Sequence, residues 1–249
     1  MHPTAADRFD AALEAQCADG APPELLPARV ARACADALPV DGAGLTLHAG
    51  ALRVPIGASS AAAAQAERMQ FTFGDGPCLR AHDTGRAIDF APADIERNWP
   101  DLYAALMTDS PYRGVLSLPL PEPLGPTVVL DLWVHRPSTL PGLDRADVEA
   151  VMRKATAELA RSLREGERVT DAGSTWLENE DALRRSSTWQ AVGLVGMALI
   201  LDTPDALEVV RAAAVTSGRS VDDVARDLLT GALLPLDLGA APVPDDEAG

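Results

Sequence analysis

The chain has 249 residues and a formal net charge of −16, and apolar residues make up 47% of it, enough to bury a sizeable core. Its only lysine, Lys154, is not part of the Gly-Lys-Ser/Thr of a phosphate-binding loop, and its predicted helical surroundings do not fit the strand lysine of a protein kinase. The acidic balance repels polyphosphate, so any binding of nucleic acid must depend on a local basic surface.

Three cysteines without a Cys-x-x-Cys motif indicate a reduced protein and not a disulfide framework. The N-terminus lacks the charged and apolar regions of a signal peptide, and no run of eighteen apolar residues is present. We therefore expect a cytoplasmic protein without a membrane segment.

The first part of the chain predicts an α+β domain over residues 24–141, preceded by an N-terminal extension, 1–23. Helical spacing of apolar residues runs from Leu25 to Leu38 and then gives way to a period of two. This alternation predicts strands at Leu45–Leu47, Leu52–Ile56, Phe71–Phe73, Ile88–Phe90, Leu116–Leu120 and Val128–Val134, with helices at about 59–69 and 93–109. Such a mixture is typical of a mostly antiparallel sheet with flanking helices.

Residues 142–183 predict an amphipathic helical linker. Val148, Met152, Ala155 and Leu159 follow one another at the spacing of a coiled-coil seam. Either this helix only packs back on the sheet domain, or it also pairs with its copy in a homodimer. We favour the dimer, because the helix leads into a second helical domain.

Residues 184–234 predict a three-helix domain, and the acidic, proline-containing segment 235–249 predicts a disordered tail. Thr203 and Ser220 are the expected N-caps of the second and third helices. The eleven residues Ala191–Leu201 contain no charged or hydrogen-bonding side chain. A helix that is apolar all round must be covered, here by the preceding helix or by a second chain.

The sequence gives little sign of catalysis. Cys78 and His82 lie one helical turn apart and are the best candidates for a metal, haem or redox site, but two ligands do not make a metal site. No nucleophile motif is present. We therefore expect no enzyme, no metal and no resident cofactor.

One stretch resembles the GAF domains of bacterial regulators. Its residues are Phe73-Gly74-Asp75-Gly76-Pro77-Cys78-Leu79-Arg80-Ala81, followed by Thr84-Gly85 and Trp99-Pro100, and the resemblance covers about residues 24–165. It implies a sensor that responds to a small molecule or a protein. The glycines suit a tight strand-to-helix turn that would place Cys78 at a helix N-terminus, where a thiolate is favoured. A buried, unreactive thiol is the alternative.

The C-terminal part resembles the ANTAR domain, a three-helix module that binds hairpin RNA and relieves transcription termination. The matching residues are Gln190-Ala191-x-Gly193, Ala206, Val210-Arg211, Ala214 and Val224-Ala225. The resemblance implies RNA contacts by Arg184, Arg185, Trp189, Gln190, Gly193, Arg211 and Arg219, with Trp189 as a stacking surface.

Val192 stands where family members often have lysine, and residues 184–234 hold five arginines against six acidic residues. From the two resemblances together, the leading hypothesis is a dimeric, signal-responsive antitermination regulator. In the alternative, the helical domain only dimerises and does not bind RNA.

Overall fold

The structure, a computed structural model, describes residues 2–17, 25–49, 52–125, 127–169, 176 and 180–239. Its architecture is α+β, as predicted, with a five-stranded antiparallel sheet and many helices. The chain divides into two compact units, Met1–Leu183 and Arg184–Gly249. Among the described residues, no helix combines the length and the apolar character needed to cross a bilayer.

The sheet lies in the first unit and has the strand order β2-β1-β5-β4-β3, with antiparallel neighbours throughout. Its strands are β1 (Gly42–Ala49), β2 (Leu52–Ala58), β3 (Ile88–Phe90), β4 (Gly114–Pro119) and β5 (Val128–Val134). Leu45 lies opposite Leu130, and Leu116 lies opposite Leu132. Because side chains alternate along a strand, these leucines share one face, and the intervening residues turn to the other.

Three helices cover the leucine-rich face. They are α1 (Ala5–Cys17), α2 (Leu26–Ala37) and α7 (Arg145–Val169), which follows a short 3₁₀ helix, Pro137–Gly142. α2 lies on β1 and β2, and α1 and α7 pack against α2 and each other. Phe9 of α1 is fully buried in this core. The segment predicted as an extension, 1–23, therefore contributes a core helix to the first unit.

The predicted dimer seam on α7 lies in the same core. Val148, Met152, Ala155 and Leu159 are at most 8% exposed, and α1 and α2 already cover α7 on this side. α7 thus packs back on the sheet domain, as both interpretations expect, and its four seam residues lie in the core of one chain. Pairing of α7 with a second copy stays a prediction.

Four helices cover the other face of the sheet: α3 (Ala61–Phe73), α4 (Pro77–Thr84), α5 (Pro92–Asn98) and α6 (Pro100–Asp109). Trp133 of β5 and Val115 of β4 are completely buried there, against Leu102 and Leu106 of α6. α3 contacts β1 and β2, and α4 contacts β4 and β5. This layer holds the candidate site.

The strand predicted at Phe71–Phe73 is wrong, because both residues belong to the end of α3. The Ser60 hydroxyl caps this helix by accepting a hydrogen bond from the Ala63 N–H at 3.2 Å. The alanine-rich sequence after the cap favours a helix. Once this helix has formed, its extension through Phe73 is more favourable than the short strand that the three-residue alternation predicts. The predicted strand-to-helix turn at Gly74 is therefore a turn between two helices.

The second unit contains most of α8 (Glu180–Leu199), followed by α9 (Thr203–Thr216), α10 (Val221–Thr230) and α11 (Pro235–Gly239). Ser220 caps α10 as predicted, with its hydroxyl accepting from the Asp223 N–H at 3.1 Å. The cap of α9 is Asp202 and not Thr203, which is the first residue of that helix.

The C-terminal tail was predicted to be disordered from residue 235. Its first five residues instead form α11, which packs against α9. Pro235 begins this helix, where proline costs little because its missing N–H has no helical partner. The rest of the predicted tail lies outside the described residues.

Candidate functional site

The candidate site is a buried cluster of polar side chains between the sheet and helices α3 and α4. The turn between these helices begins at Gly74, whose φ of 78° is left-handed and favours glycine. After this turn, the Cys78 N–H donates a hydrogen bond of 2.9 Å to Oε1 of Gln70 on α3. The two helices are thereby joined at the point where their polar residues face the sheet.

Glu67 of α3 is buried against the sheet and held at both carboxylate oxygens. Trp133 Nε1 donates to Oε1 at 2.9 Å, and Thr46 Oγ1 donates to Oε2 at 3.3 Å. The side chain lies over Gly44, where an added Cβ would come within 2.3 Å of Oε1. Burial, and then the nearby Asp131, raise the pKa of Glu67 well above its usual range.

Asp131 of β5 is the second buried carboxylate. Gln70 Nε2 donates to its Oδ2 at 2.7 Å. Ser117, which lies opposite Asp131 in the β4–β5 pair, also hydrogen-bonds this carboxylate. Burial raises the pKa of Asp131 to about 6. Asp131 is thus the second carboxyl group of this cluster whose pKa burial raises.

Cys78 lies in the first turn of α4, as predicted, but the structure does not favour a thiolate there. The side chain is 4% exposed, and burial together with the charges of Asp131 and Glu67 raises the pKa of the thiol well above its ordinary value. Burial, and after it the two carboxylates, thus outweigh any stabilisation of a thiolate by the helix N-terminus. Of the two interpretations, a buried thiol is the one that the structure supports.

Two histidines extend the cluster from Cys78. His48 Nε2 lies 3.5 Å from the Cys78 sulfur, and the His48 ring stacks on that of His82 at a centroid distance of 4.2 Å. Burial, together with the charges of His82 and Arg53, lowers the pKa of His48 to about 3, so its imidazole is neutral. The predicted pair of Cys78 and His82 is therefore brought together through His48.

Sequence reasoning missed Glu67, Gln70, His48 and Asp131. A usable signal was present for Asp131, the only charged residue in the apolar strand Val128–Val134. The same alternation that assigned its neighbours to the core places it on the opposite face. Nothing local marked Glu67 and Gln70, because a glutamate and a glutamine on an alanine-rich helix are usually exposed.

The cluster offers metal-binding atoms. One carboxylate oxygen each from Glu67 and Asp131, and the sulfur of Cys78, all lie within 4.8 Å of one another. In the part of the chain that the structure describes, these three residues form the one group of this kind.

The arginines predicted to contact RNA lie in the second unit and are engaged with acidic residues. The Arg185 side chain is 1% exposed and lies 3.2 Å from Asp222, which also accepts a hydrogen bond from Thr188. Arg211 is nearly as buried and pairs with Glu208 at 2.6 Å. The structure therefore places these two residues in the interior of the helical unit.

The other predicted RNA contacts are more accessible. Arg219 is partly exposed and pairs with Asp227 at 2.7 Å. Arg184 and Trp189 are half-buried, whereas Gln190 and Gly193 are exposed. The structure thus does not bring the predicted arginines together on one exposed face.

Comparison with known proteins adds no assignment. No protein-family model matches the chain, and no curated protein matches it.

Proposed function

We propose that this chain is a signal-responsive regulator, with a GAF-like sensor in its first unit and an ANTAR-like helical output module in its second. The GAF-like motif supports the sensor, because its residues form the helix turn that carries Cys78 into a buried polar cluster. A structural domain has little need to bury two carboxylates beside a thiol, since burial of each group costs free energy. Such clusters are typical of functional sites.

We further propose that the output module acts through contact with a second copy of the chain and not through RNA. The observation that supports this proposal is that the arginines of the module already pair with acidic residues. Arg185 and Arg211 are buried against acidic residues, and Arg219 and Arg226 pair with Asp227 and Asp223. A guanidinium that is already neutralised gains less from phosphate, and counterion release is the main source of RNA affinity.

The surface of α8 offers a place for the second copy. Met197 is 77% exposed and Ile200 is 93% exposed, and Gly193, one turn before Met197, has nothing within 4 Å of where a Cβ would stand. Ala191, Val192 and Val195 are buried on the other side of the same helix. The predicted all-round apolar helix is thus covered on one side only, and a second copy would bury the exposed side.

Sedimentation equilibrium of the full chain tests this proposal. We expect a dimer at tens of micromolar, and at least tenfold weaker association for Met197→Asp and Ile200→Asp. Leu236→Asp on α11 is the matched control, because Leu236 is 66% exposed but lies on another helix. A monomeric wild type, or equal weakening by the control, contradicts the proposal.

RNA binding is the second candidate function, favoured by the exposure of Gln190 and Gly193 from the ANTAR-like motif. A hairpin RNA library at low salt separates the two functions. If RNA is bound, Arg219→Ala should weaken binding and flatten the dependence on salt by about one unit or less. Arg136→Ala, in the first unit, is the control. If the folded wild type binds no hairpin RNA in a salt-dependent manner, contact with a second copy of the chain remains the proposed action of the output module.

A further inference from the structure

We propose that Glu67, Cys78 and Asp131 bind one divalent transition-metal ion inside the sensor unit. The three donor atoms lie within 4.8 Å of one another. For three atoms so placed, some point always lies within about 2.8 Å of all three. Closure by about 0.5–0.8 Å then gives the bond lengths of about 2.0–2.3 Å that zinc makes with oxygen and sulfur.

The donor types select the class of metal. A thiolate suits zinc, cobalt or ferrous iron, whereas magnesium and calcium prefer shells made only of oxygen. Two carboxylates and one thiolate supply three negative charges, and a divalent ion neutralises two of them inside an interior that otherwise disfavours all three. Three protein ligands also leave a coordination position for an exogenous ligand, as in zinc sites that bind small molecules.

The surroundings hold the ligands in place, as metal sites require. Trp133 and Thr46 donate to the Glu67 carboxylate at 2.9 and 3.3 Å. Gln70 donates to Asp131 Oδ2 at 2.7 Å and accepts from the Cys78 N–H at 2.9 Å. One glutamine thus fixes two of the three ligands, which come from α4 and β5.

Ser117 supports the Asp131 ligand from the neighbouring strand. It is completely buried, lies directly across the β4–β5 pair from Asp131, and its side chain hydrogen-bonds the Asp131 carboxylate. Contacts of this kind hold a ligating carboxylate in position.

The metal site would give the proposed sensor its signal, which would be the ion itself or the exogenous ligand that the ion binds. This role rests on the proposed sensor function, but the binding of the metal does not. Metal uptake is measured without any output assay. A chain that binds no metal can therefore still dimerise, and a chain that does not dimerise can still bind metal. The two experiments test the two proposals separately.

Cobalt titration of the full chain tests the proposal. The protein is unfolded with chelator, refolded with Co²⁺ and freed of excess metal, because the donors are buried and exchange would be slow. We expect one cobalt per chain and a near-ultraviolet absorption band from thiolate-to-cobalt charge transfer. Zn²⁺ added during refolding should suppress that band.

Variants identify the ligands. Cys78→Ser should abolish the charge-transfer band, and Glu67→Gln and Asp131→Asn should each weaken cobalt binding at least tenfold. Cys34→Ser is the matched control, since Cys34 is equally buried but lies in the core on the other face of the sheet. Circular dichroism checks that each variant is folded.

Folded wild type that takes up no cobalt overturns the proposal. So does an unchanged band in Cys78→Ser, or loss of the band in folded Cys34→Ser. If Cys78→Ser does not fold, the two carboxylate variants and the wild-type spectrum still decide.

Discussion

At the scale of single residues, the second unit contains a buried ion pair between an arginine and an aspartate. The Arg185 guanidinium and the Asp222 carboxylate are 1% and 4% exposed, and Thr188 donates to the same carboxylate oxygen at 2.6 Å. Removing one member of a buried pair leaves the other charge without compensation. The family resemblance implies that Arg185 contacts RNA phosphate. In the structure, Arg185 instead pairs with Asp222 and so joins α8 to α10.

Asp222→Ala should destabilise the second unit by about 3–5 kcal/mol, because it leaves Arg185 buried without its carboxylate. Arg226→Ala breaks a pair on the same helix whose side chains are about half exposed, so its cost should be about 0–1 kcal/mol. Hydrogen exchange of the α8 and α10 amides measures both changes. Equal costs for the two variants would contradict a structural role for the Arg185–Asp222 pair.

At the scale of elements, α8 ends in an unfavourable conformation. The Leu201 N–H donates to the Gly196 carbonyl at 2.9 Å, which closes the helix in the manner of a Schellman motif. The residue that must then be left-handed is Ile200, with φ of 59°. Glycine or asparagine usually occupies this position, and a β-branched residue there is strained.

In the monomer, below the concentration at which the chain dimerises, Ile200→Gly should therefore stabilise α8 by about 1 kcal/mol, since it removes the left-handed strain and no buried contact within one chain. Gly193→Ala should stabilise by a similar amount, because the added methyl group meets nothing within 4 Å and alanine is the better helix former. Slower hydrogen exchange in α8 checks both. A loss of protection in Ile200→Gly would mean that its side chain contributes more within one chain than its exposure indicates.

The elements also show how far sequence reasoning reaches. Periodicity found all five strands, and a capping residue located α10, because both signals are local. The alternation at Phe71–Phe73 failed since it covers three residues and follows a strong helix-forming run. The site itself was found only at Cys78 and His82, where a motif marks them. Glu67 and Asp131 meet through tertiary packing of α3 on the sheet, and no spacing in the sequence records that contact.

At the scale of the whole molecule, the first unit joins parts that are far apart in the sequence. α1 packs against α2 and α7, and the link is polar as well as apolar. Lys154 of α7 donates to Asp10 at 2.6 Å, and Arg8 donates to the Ala37 carbonyl at 3.0 Å. The sensor core thus extends beyond the motif-bearing segment, and it includes both the start of the chain and α7.

Phe9→Ala should consequently destabilise the entire first unit by about 3–5 kcal/mol, the usual cost of deleting a buried aromatic side chain. Phe9 is 0% exposed in the core that α1 shares with α2 and α7. The effect is measured by urea unfolding of a chain whose other three tryptophans are replaced by phenylalanine, so that the fluorescence reports Trp133 alone, on the opposite face of the sheet. A midpoint shift seen at that distance requires that α1 and the sheet unfold together. Glu14→Ala, an exposed position on the same helix, should leave the midpoint unchanged within about 0.5 kcal/mol. An unchanged midpoint in Phe9→Ala would show that α1 is an appendage and that the sensor core begins at α2.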